Sequence, residues 1–239
     1  MVKLTLIQGD ALKVLPLIQN ESVDLIVTDP PYFVLDKCDW DLFTNKEEYV
    51  DFTVKYLNLF YNVLKTDCSC LLFWSQKHLF LFDKILKQTK FNLYKMVVWH
   101  YLNVTKGFSN KRWIYTFDFI LHLVKGEKPK IFNANFSLEE NKDVWVFPKP
   151  QSNYSKDKKY HSTQKPLELI SRIIKMFSNE GDVVLDAFLG SGTTMVACRN
   201  LKRNCIGIEI NPSYIKICKE RLNWGSSIDD KIDWEFREV

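Results

Sequence analysis

Val183-Val184-Leu185-Asp186-Ala187-Phe188-Leu189-Gly190-Ser191-Gly192-Thr193-Thr194 is the stretch that decides the fold. It opens as an apolar strand and ends that strand at a carboxylate. Two glycines one residue apart then make a turn, and the chain reads as a helix through Leu201. A second strand follows at Cys205 to Ile210, with Glu209 near its end. Strand, glycine turn, helix, strand and acidic residue form a βαβ unit. The glycines let the backbone approach a ligand closely, and the helix N-terminus favours negative charge. Glu209 is placed to accept from ribose hydroxyls.

Three nucleoside-bearing ligands compete for this turn. An ATP loop needs Gly-Lys-Ser/Thr, and no lysine follows Gly192. A nicotinamide fingerprint wants a third glycine where this chain has Met195. Asp186, earlier in the turn, suits a ligand with a positively charged or amine-bearing tail. S-adenosylmethionine carries an adenosine, a ribose diol, a sulfonium and an amino-acid tail, and it fits best.

Working back from that unit, His161-Ser162-Thr163-Gln164-Lys165-Pro166 leads into a helix whose apolar face is Leu167, Ile170, Ile173, Ile174 and Phe177. Far upstream, Val23 to Val27 reads as a buried strand that runs into Thr28-Asp29-Pro30-Pro31-Tyr32. Neither proline has an N–H, so the carbonyls of Asp29 and Pro30 are free to accept from outside the chain. Tyr32 offers a flat face for a planar ring. Alone, this is a stiff turn that stops a strand. Beside a nucleoside-binding unit it is a pair of acceptors matched to an exocyclic amino group.

The remaining elements alternate. Lys3 to Gln8 reads as a strand, and Ala11 to Ile18 as a short helix interrupted by Pro16. Thr44-Asn45-Lys46-Glu47 reads as a capping box before an amphipathic helix carrying Tyr49, Phe52, Tyr56, Leu59, Phe60, Val63 and Leu64. Strands are expected at Cys68 to Trp74, Tyr94 to Trp99 and Phe117 to Val124, with a helix capped by Ser75 between the first two. Asn211-Pro212 caps a last helix to about Leu222. This alternation argues an α/β fold with a parallel sheet and helices on both faces. Residues 127–160 show weak secondary structure, and the last fifteen or so residues yield no assignment.

The chain has 239 residues, 46% of them hydrophobic, which fits one large domain. Its net charge of +4 permits a polyanionic partner without demanding one. No apolar run is long enough to span a bilayer, and no leader peptide is read at the N-terminus. Cys38, Cys68, Cys70, Cys198, Cys205 and Cys218 form no Cys-x-x-Cys pair. They read as reduced core thiols of a cytoplasmic protein, with no disulfide or metal framework. Two stretches mix cations with rings: Lys106, Lys111 and Arg112 beside Phe108 and Trp113, and Lys142, Lys149, Lys156, Lys158 and Lys159 among Trp145, Phe147 and Tyr154. That mixture suits phosphates and bases.

Asp29-Pro30-Pro31-Tyr32, followed far downstream by Asp186 to Thr194, resembles the catalytic and cofactor motifs of S-adenosylmethionine-dependent DNA amino-methyltransferases. The order, with the catalytic motif first and His161 to Pro166 before the cofactor motif, is similar to the circularly permuted β group. The resemblance covers roughly residues 3 to 222. It implies a class I, Rossmann-like mixed sheet, mostly parallel with one antiparallel strand. Residues 1–126 would be the catalytic part, 127–160 a target-recognition insertion and 161–239 the cofactor part of the same domain. Asp29, Pro30, Pro31 and Tyr32 would be catalytic. Gly190 and Gly192, with Ser191 and Thr193, would line the cofactor turn beside Asp186 and Phe188. Glu209 would hold the ribose, Thr163 and Lys165 would lie near the methionine tail, and Asp10 near the cofactor adenine. Lys106, Lys111, Arg112, Lys156, Lys158 and Lys159 would contact nucleic acid.

The implied reaction needs no enzyme nucleophile. Asp29 and the Pro30 carbonyl would accept both N–H groups of a flipped-out base stacked on Tyr32. Asp in the first motif position resembles the adenine-N6 enzymes. Phe33 stands where the family often has Asn, and it leaves cytosine N4 open. Double-stranded DNA is the implied partner, with a homodimer and a cognate restriction endonuclease as further candidates. An RNA amino-methyltransferase or a non-catalytic DNA-binding subunit are the other readings.

Overall fold

The computed structural model describes residues 1–33, 43–103, 113–133, 141–150, 160, 164–225 and 232–239. Among them, nine strands form one sheet. They are β1 (Val2–Gln8), β2 (Val23–Thr28), β3 (Leu64–Trp74), β4 (Asn92–His100), β5 (Phe117–Val124), β6 (Val144–Val146), β7 (Val183–Asp186), β8 (Asn204–Glu209) and β9 (Ile232–Glu238). Their order across the sheet is β6-β4-β5-β3-β2-β7-β8-β1-β9. Only β5 runs against its neighbours, antiparallel to both β3 and β4; every other pairing is parallel. The mixed, mostly parallel sheet is therefore the one the sequence implied.

Helices cover both faces. α1 (Ala11–Val14), α2 (Lys46–Val63) and α3 (Leu81–Leu86) pack on one, and α4 (Leu167–Phe177), α5 (Thr193–Asn200) and α6 (Pro212–Leu222) on the other. The strands sort their side chains with period two. In β3, Leu71 and Phe73 enter the core under α4 and α5, while Cys70, Leu72 and Trp74 enter the core under α2. The helical face of α4 follows its 3.6-residue period, with Leu169, Ile170, Ile173 and Ile174 all buried. No helix among the described residues is long and apolar enough to cross a membrane.

The position of β2 beside β7 sets the site. From β2 the chain crosses through α2 to β3 on one side, and from β7 it crosses through α5 to β8 on the other. The sheet's connections diverge there, which opens a crevice at the carboxyl ends of these two strands. Register pairs Leu25 with Val184 and Ile26 with Leu185. The two motifs, far apart in sequence, are thus delivered side by side.

Some local expectations shift. The N-cap of α2 is Asn45, not Thr44: its side chain accepts from Glu48 N at 2.9 Å, and Glu48 accepts from Thr44 N at 2.7 Å. The box is therefore offset by one residue, with Asn45 placed to accept from the N–H three residues on and Glu48 reaching back to the residue before the cap. Ser75 caps a single 3-10 turn, Gln76–His78, ahead of α3. The stretch 127–160 contributes the edge strand β6, too short for a periodic signal. The unassigned C-terminus forms β9, whose Trp234 packs on Trp224 at 4.6 Å between ring centroids. Cys68, Cys70, Cys198, Cys205 and Cys218 are buried free thiols, as expected; Cys38 lies outside the described residues.

Candidate active site

The crevice holds a cavity of about 840 Å³ lined by both motifs. On the β2 side stand Asp29, Pro30, Pro31 and Tyr32; on the β7 side stand Asp186, Phe188, Gly190, Ser191 and Thr193. Asp10, Lys165 and Glu209 complete the wall. Every candidate cofactor or catalytic residue read from the sequence reaches this cavity, except two. Gly192 sits just behind its wall, and Thr163 lies outside the described residues, as do Lys106, Lys111, Arg112, Lys156, Lys158 and Lys159.

Asp186 ties the two halves together. Its Oδ1 accepts from Thr28 Oγ1 on β2 at 2.7 Å and from Phe188 N at 3.2 Å, and its Oδ2 accepts from Thr194 Oγ1 at 2.6 Å. Burial pushes its carboxyl up to about 6, with the Thr194, Thr28 and Phe188 hydrogen bonds opposing. Its first task is therefore to fix the turn against β2. The Phe188 ring leaves the turn sideways and packs on Tyr56 and Phe52 of α2, at 5.4 and 6.1 Å between centroids.

The turn itself needs its glycines for different reasons. Gly190 and Gly192 have φ of 55° and 84°, the left-handed region. A Cβ on Gly190 would meet nothing within 4 Å and would project toward open space, whereas one on Gly192 would lie 2.9 Å from Cys218 Sγ. Glu209 accepts from Gly190 N at 2.7 Å through Oε2 and from Asn211 N at 2.8 Å through Oε1. Burial pushes its carboxyl up, and these backbone donors oppose that. The carboxylate lines the cavity, where its acceptor oxygens suit a vicinal diol. Arg221 locks the turn from behind, donating to Ser191 O at 2.6 Å and to Thr193 Oγ1 at 3.2 Å. Sequence reasoning missed Arg221, which lies about thirty residues downstream on an otherwise ordinary helix.

Asp10 caps α1, accepting from Leu12 N at 2.9 Å. On the β2 side, Asp29 is fully engaged within the chain. Tyr32 Oη donates to its Oδ1, and Lys165 Nζ is ion-paired with its Oδ2. Burial, then the Asp29 charge, holds the Tyr32 phenol well above its usual range, so it remains a donor. Lys165 is 10% exposed at its side chain and lies near three rings: Phe73 at 5.0 Å, Tyr32 at 5.5 Å and Trp99 at 6.0 Å. This pairing spans 136 positions and leaves no local signal in the sequence.

A second carboxylate and a second ammonium bear on this cluster. Asp118 on β5 is the cross-strand partner of Trp99. Burial pushes its carboxyl up, while Lys165 and Lys149 pull it down. Lys149, expected among the phosphate-contacting lysines, turns inward instead. Its Nζ lies 3.7 Å from the Tyr101 ring centroid, and burial lowers its ammonium. Its peptide is clamped by Asn103, which accepts from Lys149 N at 2.9 Å and donates to Lys149 O at 2.8 Å.

Phe33, just past the motif, has φ of 54°. Its ring stacks on His78 at 5.8 Å and meets Phe43 edge-on at 5.8 Å.

Comparison with known proteins agrees with this geometry. The chain is 36% identical to type II methyltransferase M.HpaI of Haemophilus parainfluenzae over 95% of its own length and 78% of that protein. Among solved structures, M1.HpyAVI in complex with SAM matches with a TM-score of 0.72 and 28% identity, covering 92% of this chain and 99% of that one. The cytosine-N4-specific PvuII DNA methyltransferase shares the fold, with a TM-score of 0.78 at 21% identity over 97% of this chain and 90% of that one. The DNA methylase family of N6/N4 type matches residues 23–220, and the chain belongs to it.

Proposed function

We propose that the protein transfers a methyl group from S-adenosylmethionine to the N6 amino group of adenine in duplex DNA. The observation that carries this reading is the placement of Asp29 at the end of β2, across one cavity from the glycine turn that follows β7. The residues suit the cofactor. Gly190 leaves open space where a side chain would stand, and the Glu209 carboxylate lines the cavity as an acceptor for the ribose hydroxyls. When bound, S-adenosylmethionine supplies an electrophilic methyl group.

The chain's own residues do the rest. The lone pair of an aromatic amino group is conjugated into its ring and is a poor nucleophile. Asp29 and the Pro30 carbonyl accept its two N–H groups, return electron density to the nitrogen and aim it. The N–C bond forms as the S–C bond breaks, and one amino proton passes to Asp29 and on to solvent. Positioning and a preorganised carboxylate supply the rate. The base reaches this cavity only when turned out of the duplex, with Tyr32 as its stacking surface. Asp in the first motif position supports adenine over cytosine. Nucleoside mass spectrometry of unmodified DNA incubated with protein and cofactor tests the reading. N6-methyladenine is the expected product, and N4-methylcytosine alone would overturn the base assignment.

A further inference from the structure

Asp29 has a competitor for its charge. Lys165 neutralises the carboxylate that, on the reading above, must draw a proton-bearing amino group and enrich its nitrogen. An acceptor paired with an ammonium polarises a neutral donor less than a free carboxylate does. Lys165 is too buried to be left without a counter-charge once it gives up Asp29. A second carboxylate stands within its reach of influence. Asp118 lies directly opposite Trp99 in the β4–β5 ladder, so their side chains share one face of the sheet. Trp99 is one of the three rings that surround the Lys165 ammonium, and Lys149 Nζ lies 5.9 Å from the same indole. The charges of Lys165, Lys149 and Asp29 act on Asp118, the Tyr101 hydroxyl bonds to it, and its own charge acts on the Tyr32 phenol. Two carboxylates and two ammoniums thus share one half-buried cluster, with one carboxylate at the reacting centre and one set back on β5.

We infer that Asp118 is a positioning residue for methyl transfer: as the target amino group docks on Asp29, Lys165 moves its ion pair from Asp29 to Asp118. Asp29 then meets the amino group with its full charge. Lys149, its peptide held by the Asn103 clamp, keeps a second positive charge acting on Asp118. After the N–C bond has formed and the proton has left through Asp29, Lys165 returns and closes the cycle. Asp118 never touches the reacting atoms. This inference rests on the proposed methyl transfer.

The test is a double-mutant cycle of Asp118→Asn and Lys165→Gln. It measures single-turnover transfer of labelled methyl groups to amplified, modification-free bacterial DNA. Calorimetric affinities for cofactor and DNA are measured in parallel on each protein. Asp118→Asn should slow methyl transfer at least tenfold while both affinities stay within threefold of wild type. In the Lys165→Gln background the same substitution should change the rate less than threefold, because the ammonium it serves is gone. An unchanged rate in Asp118→Asn overturns the inference. So does an equal loss in both backgrounds, or a loss matched by weakened binding, since those describe a residue acting without Lys165. Failure of the wild-type protein to methylate DNA would instead contradict the function itself.

Discussion

Phe33 shows how a residue's conformation can be mistaken for its chemistry. As the neighbour of the motif, it is the natural place to look for base choice, and the family often carries Asn there. Its φ of 54° offers another reason, since Asn enters the left-handed region at least cost among non-glycine residues. Phe33 accepts that strain, and its ring is engaged with His78 and Phe43. Phe33→Asn should therefore leave the ratio of methylated bases unchanged by nucleoside mass spectrometry. Chemical denaturation should show a loss of about 2 kcal/mol, the lost ring packing being partly offset by relief of strain. The motif residues Asp29, Pro30, Pro31 and Tyr32 were legible because the motif is contiguous. The pairing of Asp29 with Lys165 was not, because it joins distant segments that only the sheet brings together. Lys149 illustrates the cost of composition alone: a lysine in a basic, aromatic stretch reads as a phosphate contact, yet it folds inward over Tyr101.

At the scale of elements, the glycine turn after β7 carries two demands that its sequence does not separate. Gly190 and Gly192 both need positive φ, but only Gly192 is packed against protein. Gly192→Ala should cost stability, about 2 kcal/mol from left-handed strain and the close approach to Cys218, read from denaturant midpoints. Gly190→Ala should cost about 1 kcal/mol from strain alone. Its added methyl group points to open space, so its larger effect should be on cofactor affinity, with a loss of tenfold or more by calorimetry. The reverse ranking would mean that the turn faces the other way. The strands β2, β3, β5, β7 and β8 were legible from continuous apolar runs, and α2 and α4 from their apolar stripes. β9 carries a period-two signal of its own: Ile232, Trp234 and Phe236 alternate with Asp233, Glu235 and Arg237. β6 has three residues and carried none.

At the scale of the whole molecule, the sheet holds a pH-dependent element outside the cavity. His122 on β5 lies between Tyr94 and Phe177, at 5.1 and 4.5 Å between rings, and shares a hydrogen bond of 2.9 Å with Ser69. Burial lowers its imidazole to about 4. A folded value below the unfolded one stabilises the protein above about pH 6.5, and that contribution fades as pH falls toward 4. Asp186, raised to about 6, changes in the opposite sense over an overlapping range, so the wild-type curve alone hides both. The stability difference between wild type and His122→Gln isolates the histidine, and it should shrink by about 3 kcal/mol between pH 7 and pH 4. The overall order of strands was beyond sequence reasoning in detail. Its consequence was not, since two motifs that each end a strand have one common meeting place in a sheet of this kind. On the proposed reading, the chemistry at that meeting place rests on Asp29. The most direct test is to incubate unmodified DNA and S-adenosylmethionine with wild-type protein and with Asp29→Ala, and to count methylated bases by nucleoside mass spectrometry while following cofactor affinity by calorimetry. The account predicts N6-methyladenine from the wild type, none from Asp29→Ala, and cofactor affinities within a few-fold of each other. Methylated base from Asp29→Ala at a wild-type level would contradict it.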